Sequence, residues 1–155
     1  MKKIFCILGM AVLCLMMSAC GEKAAQWNVK ETAAALVSEG SFEDKMSEAS
    51  ADIFEMLYYG VDMSTVEELS FYMSTGATAE EVAVVRCSSE EAARKLETVA
   101  RERMQYLKDS FENYVPKELT KLENPVLKQE GVYLILCISA DDNKAAQIVE
   151  SRSGR

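Results

Sequence analysis

The sequence predicts an α+β domain in which a mostly antiparallel sheet of about four strands, formed by two hairpins, carries helices packed on it. Two kinds of hydrophobic pattern support this prediction. Some stretches repeat apolar residues every three or four positions, as helices do, and others alternate or are continuously apolar between turn residues, as strands do. Their order along the chain is ααββαββα, and strands that follow each other in pairs favour antiparallel hairpins. A chain of 155 residues suits one such domain.

Two helical stretches begin the domain. The first runs from Asn28 to Glu39, with its apolar residues at helical spacing and Gly40 as its stop signal. The second runs from Ala49 to Tyr59 and ends at Gly60. The lone tryptophan, Trp27, stands beside the start of the first helix, where we expect its ring to pack into the fold.

The first hairpin lies between the second and third helices. Val66 to Ser74 alternates apolar and polar residues, which predicts a half-buried strand. Thr75 to Thr78 supplies turn residues, and Val82 to Cys87 is apolar on both faces except at Arg86. The two strands are therefore expected to pair.

The longest helix follows a capping-box pattern at Ser88 to Glu91. Its apolar positions repeat at intervals of three and four residues and are Ala93, Leu96, Ala100, Met104, Leu107 and Phe111. Its other side is charged, and Glu97 and Arg101 lie one turn apart, as on a solvated helix face.

The second hairpin and a last helix complete the domain. Val126 to Gln129 is expected to pair with Val132 to Ile138, which is apolar on both faces. This second strand should therefore be central and covered twice, by helices on each side or by a partner chain. Asp141 is expected to cap a helix that runs to Val149, and residues 151–155 to form a disordered tail.

The first twenty residues carry the pattern of an export signal. Lys2 and Lys3 precede an uncharged apolar run over residues 4–17, which is short for a spanning helix of about 20 residues. Ser18-Ala19-Cys20 follows and resembles a bacterial lipobox. That resemblance implies a diacylglyceryl group on Cys20 and cleavage just before it. Two alternatives are an ordinary secretory signal with a chance cysteine and an uncleaved anchor helix.

The lipoprotein interpretation divides the chain into a signal peptide (1–19), a lipidated cysteine with its tether (20–28), the α+β domain (29–150) and the tail. It places the domain on the outer face of the cell membrane, because two acyl chains anchor a protein stably. Cleavage leaves 15 basic and 25 acidic residues, a net charge of −10. This charge argues against nucleic acid as a partner and against a domain lying on anionic lipid.

Cys87 and Cys137 are the two cysteines that remain for the folded domain. Both end apolar runs that predict strands. They are either buried thiols that behave as small hydrophobic side chains or, if their strands are neighbours, a cross-strand disulfide. A disulfide is compatible with a location outside the membrane.

Several segments resemble domain-of-unknown-function family 4358, which consists of lipoproteins from Gram-positive anaerobes. The likeness covers roughly residues 30 to 150, and its most specific part is the block Gly76-Ala77-Thr78-Ala79-Glu80-Glu81. The other matching segments are Tyr59 to Asp62, Ser74 to Val84, Phe111 to Tyr114 before Pro116, and Gly131 to Tyr133. The resemblance implies display at the cell surface and this type of domain, and it transfers no site residue.

The sequence excludes several kinds of chemistry. It contains no histidine, so catalytic triads and dyads with histidine and His-ligated metal sites are excluded. It also has no glycine-rich phosphate-binding motif, and we expect no cofactor and no metal. Glu67-Glu68 and Glu80-Glu81 are candidate carboxylates for acid–base work, but neighbours on a strand point to opposite faces. Asp141-Asp142-Asn143 lacks the glycine and distal glutamate of a calcium loop, which favours helix capping.

The best candidate for a binding site is the hydroxyl-rich hairpin loop with Ser74, Thr75, Gly76 and Thr78. A turn that simply needs glycine is the alternative interpretation. We therefore predict a membrane-tethered, non-enzymatic domain that binds a protein or a small ligand. The alternatives are a histidine-free, carboxylate-based hydrolase acting on the cell wall and an accessory subunit of a membrane complex.

Overall fold

Five strands form one antiparallel sheet at the centre of the computed structural model, which describes residues 25–154. The strands are β1 (Ser47–Glu48), β2 (Val66–Met73), β3 (Glu81–Cys87), β4 (Val126–Glu130) and β5 (Tyr133–Ile138). The helices are α1 (Val29–Glu39), α2 (Ala51–Leu57), α3 (Glu90–Glu112) and α4 (Asp142–Ser151), with 3₁₀ segments at Met63–Thr65 and Pro116–Leu122. The strand order across the sheet is β1-β2-β3-β5-β4.

The predicted α+β class and the two hairpins are confirmed. β2 pairs with β3 and β4 with β5, and an antiparallel pairing of β3 with β5 joins the two hairpins. The sheet has five strands rather than about four, because β1 adds two residues at the edge of β2. Two residues are too few to show the alternation by which a strand is recognised in a sequence.

The sheet separates two hydrophobic layers. Leu134 and Leu136 of β5 face a core shared with α2 and α3, whereas Ile135 and Cys137 face a core shared with α1 and α4. β5 is therefore central and covered by helices on both faces, as its apolar sequence predicts. We call the side with α2 and α3 the α3 layer and the other side the α1 layer.

Each helix begins at a side chain that accepts a hydrogen bond from a backbone N–H three residues on. The capping residues are Asn28, Ser50, Ser89 and Asp141. Such caps satisfy amide groups that have no partner within the helix. Asp141 caps α4 as expected, whereas α3 is capped by Ser89 and starts one residue later than the capping box suggests.

Both ends of the described chain are packed more closely than expected. Ala25, which the sequence places in the tether, is 2% exposed. Trp27 packs into the fold as expected, because it is 3% exposed and its indole N–H donates to the Val149 carbonyl at 2.9 Å. At the other end, the Gly154 N–H donates to the Gln26 carbonyl at 2.8 Å, although this segment was expected to be a disordered tail. The packed domain therefore extends from Ala25 to Gly154. Cys20 and the signal segment lie outside the described residues.

No helix within residues 25–154 combines the length and the apolar character needed to cross a bilayer.

Candidate functional site

All the large hydrophobic side chains that are exposed in the described part of the chain belong to one layer of the fold. They lie on α2 and α3 or just beyond the ends of these helices, and they are Ile53, Met56, Tyr59, Tyr106 and Tyr114. Tyr59 is 88% exposed and Tyr114 is 75% exposed. Clustered exposed apolar groups mark interaction surfaces more often than scattered ones do.

Three of these side chains, Met56, Tyr59 and Tyr106, border a recess between α2 and α3 of about 480 Å³, whose lining also includes Glu102 and Arg103. A second recess, of about 240 Å³, lies between α3 and the hairpin loop after β2 and is bordered by Tyr106 and Tyr114. Arg103 and Tyr106 line both recesses, which therefore lie side by side. We call the combined surface the tyrosine groove.

A buried ion pair forms the floor of the groove. Arg103 on α3 donates from Nη2 to Oε2 of Glu81 at 2.7 Å, and the two side chains are 7% and 2% exposed. The Tyr58 hydroxyl donates to Oε1 of the same carboxylate at 2.8 Å. Burial, and then the negative charge of Glu81, raise the pKa of Tyr58 well above its usual value, so this hydroxyl stays a donor.

A second buried carboxylate, Glu80, holds the backbone beside the groove. It accepts hydrogen bonds from the N–H groups of Glu43 and Asp44 at 2.7 and 2.9 Å. It also accepts from the Thr78 hydroxyl at 3.0 Å and from Lys121 Nζ at 3.1 Å. Four bonds occupy about as many acceptor positions as a carboxylate offers. Glu80 is thus fully engaged by the fold.

Lys121 links Glu80 to Glu118, which in turn accepts a hydrogen bond from the Ala79 N–H at 3.0 Å. Burial alone would lower the pKa of Lys121, but hydrogen bonds to Glu118, Glu43 and Glu80 outweigh it and raise that pKa. The lysine is therefore held as a cation. This cluster ties the 3₁₀ segment Pro116–Leu122 to the hairpin loop and keeps one wall of the groove in place.

The predicted binding loop lies at the groove, with its hydroxyl groups turned to internal partners. Ser74, Gly76 and Thr78 line the smaller recess, whereas Thr75 does not. The Ser74 hydroxyl donates to the Thr78 carbonyl at 2.7 Å, and the Thr75 hydroxyl donates to Asp44 at 2.5 Å.

Gly76 has a φ of +94°, a conformation that favours glycine, so this position also satisfies the simpler turn interpretation.

The candidate acid–base carboxylates do not converge on open space. Glu80 and Glu81 are each bonded to a buried cation, as described above. Glu67 and Glu68 are exposed and both bind Arg86, which lies near the end of the mostly apolar strand β3. Within residues 25–154, no group of three or more metal-ligating side chains is placed to hold a metal ion.

Cys87 and Cys137 are free and buried. The disulfide alternative is excluded by the position of the strands, because Cys87 faces the core of the α3 layer and Cys137 faces that of the α1 layer. Burial raises their pKa values to about 11 and about 12. Both thiols are therefore protonated near neutral pH and are poor nucleophiles.

The family comparison matches the model of a domain of unknown function, DUF4358, to residues 38–139. The chain belongs to the DUF4358 family. Comparisons with curated proteins and with solved structures found no match. The family description assigns no activity, so the DUF4358 domain must be interpreted from its own geometry.

The block at residues 76–81, which lies within the matched range, supplies much of the wall and floor of the groove. Gly76 makes the turn, Ala79 offers its N–H to Glu118, and Glu80 and Glu81 each bind a buried cation. In this DUF4358 domain the block therefore has a structural role that connects the sheet to α3 and to the 3₁₀ segment.

Proposed function

We propose that this protein is a lipid-anchored binding domain of a Gram-positive bacterium, held at the outer face of the membrane through Cys20, and that the tyrosine groove receives its partner or ligand. The observation that supports binding most directly is the gathering of every exposed large hydrophobic side chain of the described chain on the α3 layer. Tyrosine rings give large contact areas and lose little conformational freedom, which suits them to recognition.

A carboxylate-based hydrolase is less well supported. Such an enzyme needs two carboxyl groups that reach a substrate from either side. The buried carboxylates nearest the groove are Glu80 and Glu81, and their oxygens accept hydrogen bonds from the protein itself. Recruiting either one would break a buried ion pair. The shallow groove and its exposed rings favour binding.

The position of Ala25 suits display of the groove. Ala25 packs in the core of the α1 layer, on the opposite side of the sheet from Tyr106. The five residue-to-residue steps from Cys20 to Ala25 span at most about 17 Å at 3.3 Å per step. An anchor at Cys20 would therefore keep the α1 layer towards the membrane and leave the groove accessible from outside.

Site-specific photo-crosslinking in the native host tests this proposal. A photoreactive amino acid replaces Tyr106 in the groove, and a matched variant carries it at Ala34, which is exposed on α1. We expect discrete crosslinked products from the Tyr106 position that are absent from the Ala34 position. Equal products at both positions, or none at either, would contradict a binding role for the groove.

The same cells test the anchor. Mass analysis of the membrane-bound protein should find a diacylglyceryl group on an N-terminal Cys20, and a Cys20→Ala variant should leave the membrane fraction. An unmodified N-terminus would refute the lipid anchor. Recovery of the Tyr106 product only within an intact membrane complex would favour the accessory-subunit alternative.

A further inference from the structure

We infer that the tyrosine groove binds a basic polypeptide segment of a partner protein, in which lysine or arginine side chains lie across the exposed rings. This inference rests on the proposed binding function and adds the chemistry of the occupant. Three features support it, namely the charge of the surrounding segment, the kind of side chain at the rim and the extent of the groove.

The segment that forms the α2 side of the groove carries only negative charge. No lysine or arginine occurs between Lys45 and Arg86, although the same forty residues hold eight acidic ones. Four of those are ion-paired, two with Arg86 outside the groove and two with buried cations beneath it. Asp52 and Glu55 on α2 remain exposed and have no ion-pair partner within residues 25–154.

Two exposed acidic side chains lie one helical turn from exposed apolar ones. Asp52 is one helical turn before Met56 on α2, and Glu102 is one turn before Tyr106 on α3. Glu102 lines the larger recess and, in the described chain, has no cationic partner. Arg103 is the only cation in the lining of either recess, and Glu81 neutralises its charge. An incoming cation therefore meets one uncompensated carboxylate in the groove, that of Glu102, with the exposed carboxylate of Asp52 on the adjoining helix α2.

The rim suits lysine and arginine side chains in particular. Their charged heads are attracted to the faces of tyrosine rings, and their long apolar stems pack on side chains such as Met56 and Tyr59. The fold contains one such contact already, because the Arg103 guanidinium lies 5.6 Å from the centre of the Tyr106 ring. Tyr106 is nevertheless 63% exposed, so most of its surface is available to a partner.

The extent of the groove favours a polypeptide over a small amine. Two recesses of about 480 and 240 Å³ lie side by side along α3 and share Arg103 and Tyr106 in their linings. Tyr106 and Tyr114 are eight residues apart, which corresponds to about 12 Å along a helix at 1.5 Å per residue. A single ammonium group would occupy only a small part of this surface, whereas an extended segment of several residues would follow its length.

Binding of a defined peptide to the purified domain tests the inference. The probe is a fluorescein-labelled peptide of twelve residues in which lysine alternates with leucine, and the comparison peptide has glutamate at every lysine position. By fluorescence polarisation, we expect binding of the lysine peptide only, with weaker binding as NaCl rises from 50 to 300 mM. Glu102→Gln and Asp52→Asn should each weaken binding by about two- to fivefold.

Two further variants distinguish binding in the groove from non-specific electrostatic attraction of the peptide to an acidic protein. Glu31→Gln is the matched control, because Glu31 is an exposed acidic residue in the first turn of α1, as Asp52 is in α2. The affinity of this variant for the lysine peptide should equal that of the wild type. Tyr106→Ser should weaken binding by about tenfold. Thermal unfolding of each variant checks that the fold is retained.

Three results would overturn the inference. The first is equal binding of both peptides or of neither. The second is a loss in Glu31→Gln as large as that in Glu102→Gln, which would mean non-specific attraction. The third is concentration-dependent dimerisation that Tyr106→Ser abolishes, which would make a second copy of this chain the occupant. In each case a groove-specific crosslink at Tyr106 would still support the binding function itself.

Discussion

Arg103 is the residue on which the candidate site depends most. It lies on the buried face of α3, between Ala100 and Leu107, where helical spacing places apolar side chains. A guanidinium at such a position is stable only if a carboxylate and further hydrogen bonds compensate for its loss of water. Glu81 provides that compensation, and the Tyr58 hydroxyl satisfies the carboxylate on its other side.

Removing one member of the Arg103–Glu81 ion pair should destabilise the fold. We expect Arg103→Met to lower the free energy of unfolding by about 3–5 kcal/mol, because Glu81 would remain buried without a cation. The double variant Glu81→Gln/Arg103→Met should lose less, since it leaves no unpaired charge. Arg101→Met is the control, because its pair with Glu97 is at the surface and contributes less than about 1 kcal/mol. Urea unfolding measures all three, and equal losses in Arg103→Met and Arg101→Met would refute this account.

Sequence patterns predict the hairpin loop but not the side chains that hold it. The apolar spacing predicts that Met104 lies on the buried face of α3, whereas Arg103 is the more deeply buried of the two. The helical spacing of Arg103 from Ala100 and Leu107 indicates that this arginine is buried, but the spacing does not identify the carboxylate that binds it. Glu81 binds Arg103, which lies 22 positions further along the chain, and Lys121 binds Glu80, which lies 41 positions before it. Periodicity within one element carries no information on such contacts.

At the scale of the elements, the central strands are the best predicted and the edges the worst. β5 is apolar on both faces, and this pattern alone indicates a central strand covered twice. β1 has two residues, and the 3₁₀ segment Pro116–Leu122 has no periodicity that identifies it. The tyrosine groove was also missed, because exposed tyrosines on α2 and α3 become a surface only when the two helices are packed together.

Amide hydrogen exchange should be slowest in the central strands of the sheet and faster at its edge. β3 and β5 each have a strand on both sides and a core on both faces, so we expect their amides to exchange only through global unfolding. Amides of β1, at the edge, should exchange through local opening at rates many times faster. Exchange followed by NMR at several low urea concentrations distinguishes the two, because only global opening depends steeply on urea. Fast exchange of β5 at low urea would contradict the described topology.

At the scale of the whole molecule, four buried groups in both layers should make the fold sensitive to alkali. The pKa values of Cys87, Cys137, Tyr58 and Lys121 are all raised in the folded state. A raised pKa means that the folded protein keeps a proton that the unfolded chain releases. Stability is therefore complete below the unfolded pKa of each group and is lost as the pH rises above it.

We accordingly expect the free energy of unfolding to be nearly constant from pH 7 to 8.5 and to fall from about pH 9, where the thiols of the unfolded chain begin to ionise. The contribution of Cys137, whose pKa rises from 9.0 to about 12, amounts to about 1.4 kcal/mol per pH unit in this range. Urea unfolding between pH 7 and 11, with a reductant present, measures the slope. Cys137→Ala should be less stable at pH 7 because it loses buried volume, but its stability should fall less steeply above pH 9. An unchanged slope in that variant would mean that the thiol does not remain protonated in the folded protein.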